Sequence, residues 1–150
     1  MLVFHATHPI QEMSFMKTTL AVASFAVASL LSFSARSAET QKLKLIHVPD
    51  LVADLQSGHP TILDANGDKT RTEDGIIPGA KLLTSSSEYD IARELPAAKD
   101  SDLVFYCANT KCMASHSAAS RAMNAGYTHV AVLADGIQGW KAAGQQTAKP

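Results

Sequence analysis

Leu103-Val104-Phe105-Tyr106-Cys107-Ala108-Asn109-Thr110-Lys111-Cys112 is the stretch from which the fold can be read. The run from Leu103 to Tyr106 is apolar and aromatic without a break, which suits a strand buried on both faces. It stops at Cys107, and the period then changes. Across residues 112–125 the small and apolar side chains Ala114, Ala118, Ala119, Ala122 and Met123 fall at helical spacing, and Gly126 stands where a helix should end. Strand, tight loop and helix in that order predict an α/β unit with Cys107 at the turning point.

Outward from this unit the same alternation repeats. Residues 43–48, 61–63, 81–83 and 130–133 read as short strands. Helices are predicted over residues 49–55, opened by Pro49-Asp50, and over 88–95, with Tyr89, Ile91 and Ala92 on the apolar side and Pro96 closing it. A last helix over residues 136–143 carries Trp140. Residues 64–75 are dense in Asn, Gly, Asp and Thr and are expected to be a surface loop.

The chain has 150 residues, 46% of them apolar, which is enough for one core and one domain. Residues 1–38 do not read as part of it. Met16-Lys17 opens an uncharged run over residues 20–31, about a dozen long where a bilayer span needs roughly 20. Followed by the small-residue site Ala35-Arg36-Ser37, with Ala38 beside it, this has the form of a cleaved signal peptide. Residues 1–15 fit no part of such a signal, and Met16 is an alternative start. The expectation is a signal peptide over residues 1–38, a domain over 39–150, and a periplasmic or otherwise exported product not held by the membrane after cleavage. The whole chain has 13 basic and 14 acidic side chains with no basic cluster, which argues against nucleic acid as a partner.

Cys107 ends its strand where a helix begins, the place at which open α/β sheets bind ligands. The N–H groups of Ala108, Asn109, Thr110, Lys111 and Cys112, with the positive end of the helix dipole, favour an anion there. They should lower the thiol from its usual value of about 8.5 and yield a nucleophilic thiolate. From position alone the bland reading is equally open, a free cysteine filling space at a strand end.

Four pieces tip that balance: Gly75-Ile76-Ile77-Pro78-Gly79-Ala80, then Phe105-Tyr106-Cys107, then Gly126-Tyr127, then Asp135-Gly136-Ile137-Gln138-Gly139-Trp140. In this order and at these intervals the sequence resembles the single-domain rhodanese family across residues 39–150. The resemblance implies a three-layer fold around a central five-stranded parallel sheet. It also implies a sulfurtransferase in which Cys107 accepts sulfane sulfur as a persulfide and passes it to a thiol or cyanide. Residues 108–112 would bind the anionic substrate, with no cofactor. Cys112 stands five positions after Cys107, the loop length of sulfur-handling members, whereas the related phosphatases insert one more residue.

The chain also departs from the family pattern, Cys-x-x-Gly-x-Arg, at two places. Thr110 replaces Gly, so the loop is expected to turn at Asn109, and Cys112 replaces Arg, leaving Lys111 as a mobile point charge and thiosulfate as a poor donor. Asp64-Ala65-Asn66 stands where the family often has Asp-x-Arg, with Arg71 as a candidate substitute.

Cys107 and Cys112 are the only cysteines, and in an exported protein they could pair if their Cα atoms lie within about 7 Å. Three readings stay open. Cys107 is a persulfide carrier with Cys112 a bystander; or Cys112 is a resolving thiol in a thiol-redox pair that needs an external thiol reductase; or Cys107, Cys112 and His116 form a non-catalytic copper or zinc site. His47, His59 and His129 have no partner by spacing, and neither Ser85-Ser86-Ser87 nor the serines of the helix after Cys107 stand in the Gly-x-Ser-x-Gly elbow of a hydrolase.

Overall fold

The computed structural model describes residues 42–58 and 60–150. The expected signal peptide and His59 lie outside the described residues. The chain divides into two units, and every element below belongs to the second, Ala38–Pro150.

Five strands, β1 (Lys44–Ile46), β2 (Thr61–Asp64), β3 (Lys81–Leu82), β4 (Leu103–Tyr106) and β5 (Val130–Leu133), form one parallel sheet in the order β1-β5-β4-β2-β3. The helices are α1 (Val48–Ser57), α2 (Asp68–Asp74), α3 (Ile91–Glu94), α4 (Ala114–Asn124) and α5 (Gly136–Ala142). Alternation along each strand divides the core in two. Leu63, Leu103, Phe105, Val130 and Val132 pack with Ala118, Ala119 and Ala122 of α4 and with Tyr89. Ile46, Ile62, Val104, Tyr106, Ala131 and Leu133 pack on the other face with Leu51 of α1 and with Ile137 and Trp140 of α5. Sheet residues buried on both faces and helices covering each side give the expected three layers.

This strand order positions the site. The chain leaves β2 for β3 on one side and leaves β4 for β5 on the other, while β2 and β4 themselves are paired, Asp64 opposite Tyr106. The departing connections diverge at the carboxyl ends of these two strands and open a crevice there. Cys107 is the first residue beyond β4.

Three expectations change. Residues 64–75 are not a surface loop: α2 occupies Asp68–Asp74, and Asp64, Ala65, Asn66 and Arg71 are buried. Polarity misled because the inward anchor of this segment is a guanidinium paired with a carboxylate. The helix predicted over 88–95 shrinks to Ile91–Glu94, since Asp90 caps it by accepting from the N–H groups of Ala92 and Arg93. Tyr89 therefore precedes the helix, fully buried, and Ala92 is exposed. Finally, α4 begins at Ala114 and not at Cys112, whose N–H closes the preceding turn by donating to the carbonyl of Asn109 at 3.0 Å.

Candidate active site

Backbone pairing orients the loop after β4. The carbonyl of Cys107 accepts from the N–H of Ile137 at 2.8 Å, and that of Ala108 accepts from the N–H of Gln138 at 3.0 Å. In a trans peptide the N–H points opposite to the C=O. With both carbonyls held by the start of α5, the N–H groups of Ala108 and Asn109 point away from it. Gly136 makes this approach possible. Its φ is +63°, and a Cβ there would lie 2.6 Å from the Cys107 carbonyl oxygen and from the Ala108 carbonyl carbon.

Asn109 shapes the rest. Its Oδ1 accepts from the Lys111 N–H at 3.0 Å, while its carbonyl takes the Cys112 N–H, so Thr110 and Lys111 form the tip of a turn built by Asn109. Two of the five expected anion donors, the amides of Lys111 and Cys112, are thus used inside the loop. Those of Ala108, Asn109 and Thr110 donate to no acceptor among the described residues. The first amides of α4 add to them. Met113 sits at the N-cap with no side-chain hydrogen bond, and the first carbonyl bond into the helix is from the Ser117 N–H to Met113, at 3.0 Å.

Cys107 is 1% exposed, yet it belongs to neither apolar cluster. Its sulfur is joined in a disulfide to Cys112, with the Cα atoms 6.2 Å apart, inside the reach expected for such a bond. The Sγ also lies 3.1 Å from the Ser115 hydroxyl and 3.2 Å from the Cys112 carbonyl oxygen. Ser115, itself 1% exposed in the first turn of α4, is the site residue that sequence reasoning missed. Its only signal was its position two residues into a helix that starts beyond the loop.

Two supports flank the loop. Asp64, fully buried at the end of β2, accepts from the Tyr106 hydroxyl at 2.7 Å and from the Asn66 N–H at 2.6 Å. Arg71 stands 3.6 Å from the same carboxylate and donates to the carbonyls of Asp64 and Leu83 at 3.1 and 2.9 Å. Arg71 thereby sets a cation from α2 against the end of β2. Burial, followed by the Asp64 charge, pushes the Tyr106 phenol far up, so it stays protonated; its oxygen accepts from the Ile77 N–H at 3.1 Å. That bond ties the turn around Ile77-Pro78 to the residue just before Cys107, joining two of the quoted sequence pieces.

The second support runs along the surface. The Asn109 amide donates to Gln138 at 3.0 Å, Gln138 donates to Asp74 at 3.3 Å, and Lys141 donates to Asp74 at 2.8 Å. The Lys141 hydrogen bond holds the Asp74 carboxyl below its ordinary value, against a smaller opposing effect of burial.

Other candidates fall elsewhere. His47 and His129 do have carboxylate partners, Asp135 at 3.1 Å and Asp102 at 3.4 Å, both remote in sequence. His116 has a buried Nδ1 with no hydrogen-bond partner among the described residues, and the two sulfurs nearest to it in sequence are bonded to each other. Among the described residues no three His, Cys, Asp or Glu side chains come together to hold a metal ion, and no helix is long and apolar enough to cross a membrane. A cavity of about 490 Å³ lies at the amino ends of β4 and β5, beside Leu103 and Val130, and none of the loop residues lines it.

The family model described as rhodanese-like domain matches residues 47–143. Among solved structures the chain is similar to a protein of unknown function from Rhodopseudomonas palustris, described as a possible tyrosine phosphatase. The identity is 29%, over 71% of this chain and 85% of that one, with a TM-score of 0.59. It is similar also to the rhodanese-like domain of a protein from Anabaena sp., with 27% identity over 73% and 81% of the two chains and a TM-score of 0.58. A thiosulfate sulfurtransferase from Pseudomonas aeruginosa shares the fold, at 24% identity over 71% of this chain and 20% of that one, TM-score 0.59. No curated protein matches the chain.

Proposed function

The chain belongs to the rhodanese-like domain family, and from that premise we propose that it is a sulfurtransferase that carries sulfane sulfur as a persulfide on Cys107 and delivers it to a thiol or cyanide. The supporting observation is the orientation of the Cys107 and Ala108 peptides, whose carbonyls are spent on α5 and whose amides point away from it and donate to no acceptor among the described residues. A reductant first opens the disulfide. The Cys107 thiolate then attacks the sulfane sulfur of a donor, forming a bond from Cys107 Sγ to that sulfur while the rest of the donor departs with the electron pair of the broken bond. An acceptor thiolate or cyanide next attacks the outer sulfur, and Cys107 leaves again as a thiolate. The amides of Ala108, Asn109 and Thr110 and the Ser115 hydroxyl are the groups available to hold negative charge throughout.

Thiosulfate is expected to be a weak donor. Lys111, exposed at the turn, offers one mobile charge where a guanidinium would grip two oxygens. Phosphate-ester hydrolysis is disfavoured by the same lack of Arg and by the five-residue spacing from Cys107 to Cys112. Turnover of the reduced protein with polysulfide, an alkyl persulfide or thiosulfate, using cyanide or a thiol as acceptor, tests the proposal. Activity should vanish in Cys107→Ser. Undiminished transfer by that variant, or hydrolysis of an aryl phosphate with no transfer from any donor, would overturn it.

Export is the second part of the proposal, supported by the uncharged run and small-residue site before residue 39. The N-terminal sequence of protein recovered from a periplasmic extract should begin near residue 38. A start before residue 35 would count against it.

A further inference from the structure

We infer that Cys112 discharges the sulfur carried on Cys107 as sulfide, and that a reducing dithiol then reopens the resulting disulfide by attacking Cys112. This rests on the persulfide reading above. The loop holds the two Cα atoms 6.2 Å apart, with the sulfurs joined. In the loaded, reduced protein the Cys112 thiolate is therefore within bonding reach of the inner sulfur. A bond forms between Cys112 Sγ and Cys107 Sγ, the bond from Cys107 Sγ to the outer sulfur breaks, and the outer sulfur leaves with the electron pair and the persulfide proton as hydrosulfide. The two cysteines are oxidised together by two electrons, which reduce the sulfane sulfur.

The surroundings of the two sulfurs differ, and the difference sets the direction of re-reduction. Cys107 is 1% exposed, whereas Cys112 is half-buried and lies between exposed Lys111 and Met113, the latter 62% exposed. An incoming thiolate meets Cys112 first. Attack there expels Cys107, whose sulfur has the Ser115 hydroxyl at 3.1 Å and the open loop amides to receive the charge. Attack on Cys107 would expel Cys112, which has no such donor on its sulfur among the described residues. A better stabilised leaving thiolate departs faster. The mixed disulfide accordingly forms on Cys112, and the second thiol of the reductant attacks that bond, frees Cys112 and leaves the dithiol oxidised.

The test loads the reduced parent and its Cys112→Ser variant with sodium polysulfide, removes the excess, and follows sulfide release and intact mass without added thiol. The parent should release stoichiometric sulfide and end as the intramolecular disulfide. Cys112→Ser should keep its added sulfur at least about tenfold longer, because the attacking thiol is no longer held beside the persulfide. Equal rates of sulfur loss would overturn the inference and leave the persulfide reading standing. Failure of both proteins to take up sulfur would overturn that reading and this one with it. Treating the oxidised parent with a monothiol, quenching in acid and mapping the adduct checks the direction: it should sit on Cys112, and an adduct on Cys107 would contradict the assignment.

Discussion

Replacing Gly136 by Ala tests how the loop is held more sharply than replacing any loop residue. Two costs add. Gly136 has φ +63°, where an L side chain costs about 1–2 kcal/mol. The new Cβ would also lie 2.6 to 2.7 Å from three backbone atoms of Cys107 and Ala108, none of which can rotate aside. Forcing such a contact costs about 1–3 kcal/mol more. The expected loss is thus about 2–5 kcal/mol, a large share of the stability of about 5–15 kcal/mol usual for a domain. Relief of the clash must move the Cys107 and Ala108 carbonyls off Ile137 and Gln138 and re-aim the open amides. Displacements near 1 Å in such sites cost about a hundredfold in rate. Urea denaturation and the rate of sulfur uptake by the reduced protein measure both. Gly144→Ala is the control, since Gly144 has φ +75° with nothing within 4 Å of a Cβ. It should lose stability alone and keep its sulfur uptake. A Gly136→Ala protein with the parent's denaturation midpoint and uptake rate would refute the role given to this contact.

Ser115→Ala removes the hydroxyl 3.1 Å from Cys107 Sγ. A hydrogen bond to a charged group is worth about 1.5–3 kcal/mol, so sulfur uptake at neutral pH should fall by about tenfold or more while the denaturation midpoint under reducing conditions moves little. Arg71→Ala strands the buried Asp64 carboxylate and should cost about 3–5 kcal/mol in urea denaturation; a loss under 1 kcal/mol would mean the pair is not a support. Asp74 has its carboxyl depressed from the ordinary 3.8, chiefly by the Lys141 hydrogen bond, so its stabilising contribution is present above that value and is lost as the pH falls through the lower, folded value. Asp74→Asn should therefore flatten the decline in stability on the acid side of pH 3.8 and leave a deficit of at most about 1 kcal/mol at neutral pH, read by denaturation across a pH series.

The central strand was legible because apolar burial on both faces leaves an uninterrupted run, and the strands predicted over residues 103–106 and 130–133 coincide with β4 and β5. The same criterion failed on residues 64–75, where burial is ionic. No hydrophobic pattern announces that Arg71 folds under the sheet end, and spacing alone left it only a candidate. Cys107 stood out from its strand end, but the turn expected at Asn109 falls one residue later, on Thr110 and Lys111, with Asn109 closing it through its carbonyl and side chain. The use of the Lys111 and Cys112 amides inside the turn was not foreseen, because it depends on a local hydrogen bond from the Asn109 side chain. Ser115 was hidden for a related reason: its closeness to Cys107 depends on how the loop folds back onto the first turn of α4, which no spacing announces.

One measurement bears on the loop cradle itself, the electron density of the reduced Cys112→Ser protein crystallised after exposure to a polysulfide. One added sulfur is expected on Cys107 Sγ, within hydrogen-bond distance of the amides of Ala108, Asn109 or Thr110. A side chain left bare, or a sulfur turned from those amides toward the sheet core, would contradict the account.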